Sequence, residues 1–161
     1  MLSWIFAGAP DDALIESLFE LRRIVEPDAA RLAALRRTPE QLARMQQGLA
    51  GVDRHGFDSE EGRCCDEAFH SALLEASGND FIMSLTSGVA AAIELTTAFK
   101  QRHLPAPHDA LPVHLAVLEA IEAQDAERAH DAMARLVERG FQDTMEARKP
   151  VNSVGSRRAA R

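Results

Sequence analysis

Residues 11–35, DDALIESLFELRRIVEPDAARLAAL, decide the fold class, because their apolar positions recur at helical rather than strand spacing. Leu14, Leu18, Leu21 and Val25 fall on one stripe, the repeat of a helix that buries a single face. Asp11 or Asp12 supplies the N-cap, since a short acidic side chain accepts from unpaired amides of the first turn. Pro27 has no amide hydrogen, so it is expected to kink the segment or break it in two. Ala29 to Leu35 then resumes the pattern with small residues suited to close packing.

The remaining chain reads in the same way. Thr38-Pro39-Glu40-Gln41 is a helix start, with Thr38 as cap, Pro39 in the first position and Gln41 closing a capping box. That helix carries Leu42, Met45 and Leu49 and is expected to stop near Gly51, followed by a polar connection from Val52 to Phe57. Asp58 or Ser59 caps a third helix reaching Ala76, where Ser77-Gly78-Asn79-Asp80 gives a Gly terminator and a new cap. A single helix from Asp80 to Lys100, apolar at Phe81, Ile82, Leu85, Val89, Ala92, Ile93 and Phe99, is expected at the centre of the bundle. Pro105, Pro107 and Pro112 make 103–112 a loop. Two more helices follow, one over Val113–Ala123 and one capped by Asp125 with Ala129, Met133, Leu136, Val137 and Phe141 on its inner face.

A length of 161 residues suits one domain. Its residues are 46% hydrophobic but 5% aromatic, without Tyr, which favours helices over a β-sandwich. The fold expected is all-α, an antiparallel bundle of six or seven helices. A net charge of −7 argues against a nucleic-acid surface, which needs clustered cations. Cys64 and Cys65 are sequence neighbours that cannot easily meet disulfide geometry, so they read as reduced thiols of a cytoplasmic protein. The apolar start, Met1 to Pro10, is too short to cross a bilayer, and no membrane association is expected.

Asp66 and His70 lie four residues apart and share one helix face. His114 opens another strongly helical segment, and if it reaches that face the three groups form a small polar cluster. Two imidazoles and a carboxylate suit zinc, nickel, iron or manganese, and leave positions open for an oxygen ligand. The plain alternative is a helix-surface ion pair, with His114 beside a cap.

Leu18-Phe19-Glu20-Leu21-Arg22-Arg23-Ile24-Val25-Glu26-Pro27, with Ala29-Ala30 and Leu32-Ala33-Ala34, resembles the first helix of the ligand-sensing domain of FadR-type GntR-family transcription regulators. Asp66-x-x-Phe69-His70, Ala76-Ser77-Gly78-Asn79, His114-x-x-x-Leu118-x-Ala120-Ile121 and Asp125-x-x-x-Ala129-x-x-x-Met133 follow in family order. The resemblance covers about residues 12 to 146. It implies a helical, dimerising effector domain, 11–147, between a linker remnant, 1–10, and a disordered tail, 148–161. The family's winged-helix DNA-binding head is expected to be missing from this chain.

Many members of that family hold a divalent metal with an Asp and three His. Asp66, His70 and His114 match three of these, so the resemblance implies zinc, nickel or manganese here. The fourth ligand is expected at position 136, where this chain has Leu136. Relatives that respond to sugar acids such as galactonate are similar in keeping the Asp and two His without the last. The implied effector is therefore a small carboxylate, a sugar acid first. Arg22 occupies the family's Arg position and is the first candidate to hold the effector's charge, against a simple pairing with Glu26; Arg102 is the second. His103 and His108 are remote candidates for a replacement donor. Asn79 reads as a helix cap. Two other readings stand beside the sensor: a metal-dependent helical enzyme, for which no further base can be named since Glu67 points off the face, and a dimerisation module with an inactive pocket.

Overall fold

The computed structural model describes residues 11–104 and 109–148, and these form seven helices: α1 (Asp12–Arg36), α2 (Pro39–His55), α3 (Glu60–Ala76), α4 (Asp80–Ser84), α5 (Thr86–His103), α6 (Leu111–Glu122) and α7 (Ala126–Ala147). The linker remnant at 1–10, Pro105, Pro107, His108 and the tail from 149 lie outside the described residues. The all-α bundle is the one expected, but α1 rather than the 80–100 segment is its hub, packing on α3, α5, α6 and α7.

Local chemistry accounts for the helix starts. Asp11 accepts from the Leu14 amide, Ser59 from Gly62 and Asp125 from Arg128, each satisfying a first-turn donor. Thr38 and Gln41 form the capping box, and Asn79 caps α4 by accepting from Phe81 and Ile82.

Pro27 neither ends nor divides α1, which runs unbroken for 25 residues. Proline removes one ladder donor, and burial of Pro27 among Val25, Ala29 and Ala30 offsets that loss. The buried stripe is also turned by one residue from the expected one. Ile15, Phe19, Arg22, Glu26, Ala29, Ala30 and Ala33 face inward, whereas Leu14, Leu18 and Leu21 sit at the margin. Counting apolar residues alone found the wrong stripe because two of the inward positions are charged.

α2 continues past Gly51 to His55, since Val52 is buried and carries the pattern one turn further. The 80–100 helix is divided at Leu85. Phe81 and Leu85, expected on the apolar face, are exposed, Phe81 to 84%, and so is Met83 between them. Elsewhere the core is conventional: Phe19, Phe69, Met45, Leu49, Leu73, Leu74, Ile121 and Met133 are fully or almost fully buried. Each such side chain contributes about 1.5–3 kcal/mol relative to exposure.

The α2–α3 corner fixes where α3 begins. Gly56 has φ of 74°, a left-handed conformation that favours glycine. A Cβ on Gly62 would stand 1.7 Å from the Gly56 carbonyl oxygen, so the first turn of α3 rests directly on that carbonyl. Ser59 ties the corner by donating to the Gly56 carbonyl while accepting from Gly62. One turn further along α3 stands Asp66.

Candidate functional site

Five helices meet at one internal cavity. Arg22 enters from α1, Asp66 and His70 from α3, Thr97 and Lys100 from α5, His114 from α6, and Leu136 and Arg139 from α7, with Phe57 at the α2–α3 corner. The free volume is about 40 Å³, against roughly 300–1,000 Å³ for clefts that take drug-sized ligands.

Asp66, His70 and His114 are all buried, and their candidate ligand atoms lie within 4.8 Å of one another. His114 Nδ1 is 2.7 Å from the Ala110 carbonyl oxygen. A carbonyl only accepts, so Nδ1 carries a proton, and Nε2 stands on the other side of the ring, 3.1 Å from Asp66 Oδ1. His70 repeats the arrangement, with Nδ1 2.8 Å from Glu26 Oε2 and Nε2 3.7 Å from the same Asp66 oxygen. The directions of these approaches are poor: Asp66 Oδ1 and His70 Nδ1 are buried without a well-directed hydrogen bond. A carboxylate oxygen that faces two imidazole nitrogens, with no donor aimed at it, is a place that a cation fits.

Arg22 and Glu26 are buried charges from α1. Arg22 Nε donates to Glu26 Oε1 at 2.5 Å, so the pairing offered as the simple alternative for Arg22 is present, and Arg22 lines the cavity at the same time. Burial alone would raise the Glu26 carboxyl. The nearby charges of Arg22 and His70, with their hydrogen bonds, outweigh it and hold the group at about 2. Burial likewise opposes ionisation of Asp66, and His114, His70 and Arg22 together hold it at about 2. Burial, then the charge of Arg22, pushes the Lys100 ammonium down.

These carboxyls set a pH dependence. Their folded values lie below the ordinary 4.5 and 3.8, so the folded state binds fewer protons than the unfolded one at acid pH. The stability they contribute is complete above about pH 4.5 and is lost as pH falls towards 2. Urea midpoints of metal-free protein should hold level down to about pH 5 and fall steeply below 4.5. A level midpoint to pH 2.5 would show that neither carboxylate is held in its ionised form.

Arg102 is exposed and lines no part of the cavity; its neighbour Lys100, half-buried, takes that place. His103 is the last residue of α5, exposed and 4.5 Å from the Phe99 ring, not a donor at the cluster. Glu67 is exposed, Cys64 is an exposed free thiol, and Cys65 is a half-buried one beside Gly51. Sequence reading passed over Glu26 except as a partner for Arg22. The available signal was a charged i,i+4 pair lying on the Ile15–Phe19–Ala30–Ala33 ladder. Among the described residues no helix is long and apolar enough to cross a membrane.

The all-helical bundle closes on a buried Asp-His-His cluster, and the chain belongs to the FCD domain family, whose model matches residues 17–139. It is 28% identical over 141 residues to the galactonate operon transcriptional repressor of Escherichia coli (strain K12), covering 85% of this chain and 60% of that protein. It is 37% identical over 75 residues to the HTH-type transcriptional regulator LutR of Bacillus subtilis (strain 168), covering 47% of this chain and 34% of that one. The structure of Streptococcus agalactiae GntR superposes with a TM-score of 0.69 at 29% identity, over 81% of this chain and 59% of that one. E. coli McbR/YncC, at 14% identity and a TM-score of 0.72 over 84% and 66% of the two chains, shares the fold. The chain thus spans about 60% of the length of the galactonate repressor it matches. It is the FCD domain of GntR-family transcription regulators, and the relatives are named as regulators rather than enzymes.

Proposed function

We propose that this chain is the effector-binding and dimerisation domain of a cytoplasmic GntR-family regulator, with residues 11–147 as the functional unit. It senses a small carboxylate, a sugar acid first, beside a divalent metal held by Asp66, His70 and His114. DNA is reached only through a winged-helix head outside this chain. The observation that carries the reading is Asp66 Oδ1, buried without a well-directed hydrogen bond and faced by two imidazole nitrogens. Bound there, zinc, nickel or manganese supplies a Lewis-acid point for carboxylate and hydroxyl oxygens. Arg22 and Lys100 add cationic charge to the walls, Arg22 with its Nε committed to Glu26. The sugar-acid choice rests on the galactonate repressor's name and its 28% identity.

A six-carbon acid does not fit 40 Å³. Its binding requires the long side chains of Lys100, Gln101 and Arg139 to swing outward from the wall. Dimerisation is supported by exposed Phe81, Met83 and Leu85, crowded on α4 and its junction with α5. Leu136 in the wall favours a second reading, a dimerisation module whose pocket is inactive.

Isothermal titration separates the readings. Metal-stripped protein should take up one zinc, nickel or manganese per chain, and galactonate or a shorter hydroxy acid should give heat only once the metal is loaded. The same sample should sediment at twice 17.6 kDa. No heat from any acid, with or without metal, would leave the inactive module, and a monomer at working concentration would remove the dimerisation role.

A further inference from the structure

We infer that Glu26 is a positioning residue for the metal centre, its buried carboxylate turning His70 so that Nε2 rather than Nδ1 is offered beside Asp66. Its purpose rests on the metal reading above; its geometry does not. A carboxylate is tolerated at full burial when its oxygens are satisfied, and here Arg22 donates to both oxygens, at 2.5 Å to Oε1 and 3.5 Å to Oε2, with the His70 ring close beside Oε2. Oε1 takes Arg22 Nε at 2.5 Å, and Oε2 lies 2.8 Å from His70 Nδ1. Both carboxylates only accept, and Glu26 at 2.8 Å is nearer to the ring than Asp66 at 3.7 Å, so the neutral His70 ring keeps its proton on Nδ1 and leaves Nε2 for the Asp66 side.

His114 reaches the same state by another route, through the Ala110 carbonyl. Both rings then place Nε2 on the Asp66 side with an oxygen behind Nδ1, the arrangement that fixes an imidazole's plane and, in its neutral form, its tautomer for a metal. Arg22 offsets the second negative charge that Glu26 brings to the centre. The hub helix α1 is thereby fastened to the ligand set on α3 through one carboxylate.

Glutamine at this position separates orientation from bulk. Arg22 and His70 both need an acceptor, while an amide has one accepting and one donating end. The guanidinium has no lone pair, so it keeps the amide oxygen. The amide nitrogen then donates to His70 Nδ1, and the ring proton moves to Nε2, where it occupies the ligand position.

Imidazole ¹⁵N shifts of metal-free protein at pH 8 read this directly. Wild type should carry the His70 proton on Nδ1; a proton on Nε2 would overturn the assignment before any variant is made. In Glu26→Gln the His70 proton should move to Nε2 while His114 keeps its own on Nδ1, and zinc affinity should fall about 10–100-fold. An unchanged His70 tautomer in Glu26→Gln, or loss of order at both rings together, counts against a positioning role. The expected tautomers in a wild type that binds no zinc, nickel or manganese would support the orientation and defeat the metal reading instead.

Discussion

Glu26→Ala should destabilise the domain by about 3–5 kcal/mol, because it leaves the Arg22 guanidinium buried without its partner. For a chain of this size that corresponds to a loss of roughly 10 °C or more in Tm. Replacing both residues, Arg22→Met with Glu26→Leu, should recover most of it, since two well-packed apolar side chains of similar volume need no charge partner. The contrast is measured by urea denaturation of the two variants beside an exposed control such as Glu20→Ala, which should shift stability by about 0.5 kcal/mol at most. Equal costs for Glu26→Ala and the control would mean that water reaches the pair and that α1 does not depend on it.

Leu136→His should tighten zinc binding by at least tenfold, about 1.4 kcal/mol. Leu136 lines the cavity from α7, with only 5% of its surface exposed, so an imidazole there has little to face except the cluster. Without metal the same change buries a polar ring in place of a packed leucine and should cost about 1–3 kcal/mol. Metal-free variant should therefore melt below wild type, and zinc should raise its melting temperature more than it raises that of wild type. Unchanged zinc affinity by titration would show that a side chain at 136 cannot reach Asp66, His70 and His114.

Asp66, His70 and His114 were legible in the sequence because helix spacing and family order are properties of the chain itself, and the structure brings these three together. Arg22 was found for its family position, but its partner decided its state. Only its place on the Ile15–Phe19–Ala30–Ala33 ladder marked Glu26 as inward, since a charged residue enters a core only when tertiary partners satisfy it, and His70 comes from another helix. Of the expected stripe of Leu14, Leu18, Leu21 and Val25 only Val25 is buried, because apolar counting gives no weight to inward charges. Lys100 and Arg102 are two residues apart on α5, about 200° around the helix, so which of them faces the cavity is set by the docking of α5 rather than by spacing. The division at Leu85 and the exposure of Phe81 likewise depend on how α4 and α5 meet.

The corner where Gly62 rests on the Gly56 carbonyl limits how the chain can diversify. Any side chain at 62 would lift the start of α3 and carry Asp66 away from His114 on α6, even though residue 62 touches no part of the cavity. Lys100, Gln101 and Arg139 on the wall carry no such backbone contact. Descendants of this sequence can change what they recognise by altering α5 and α7, while the α2–α3 corner stays fixed as the register mark of the domain.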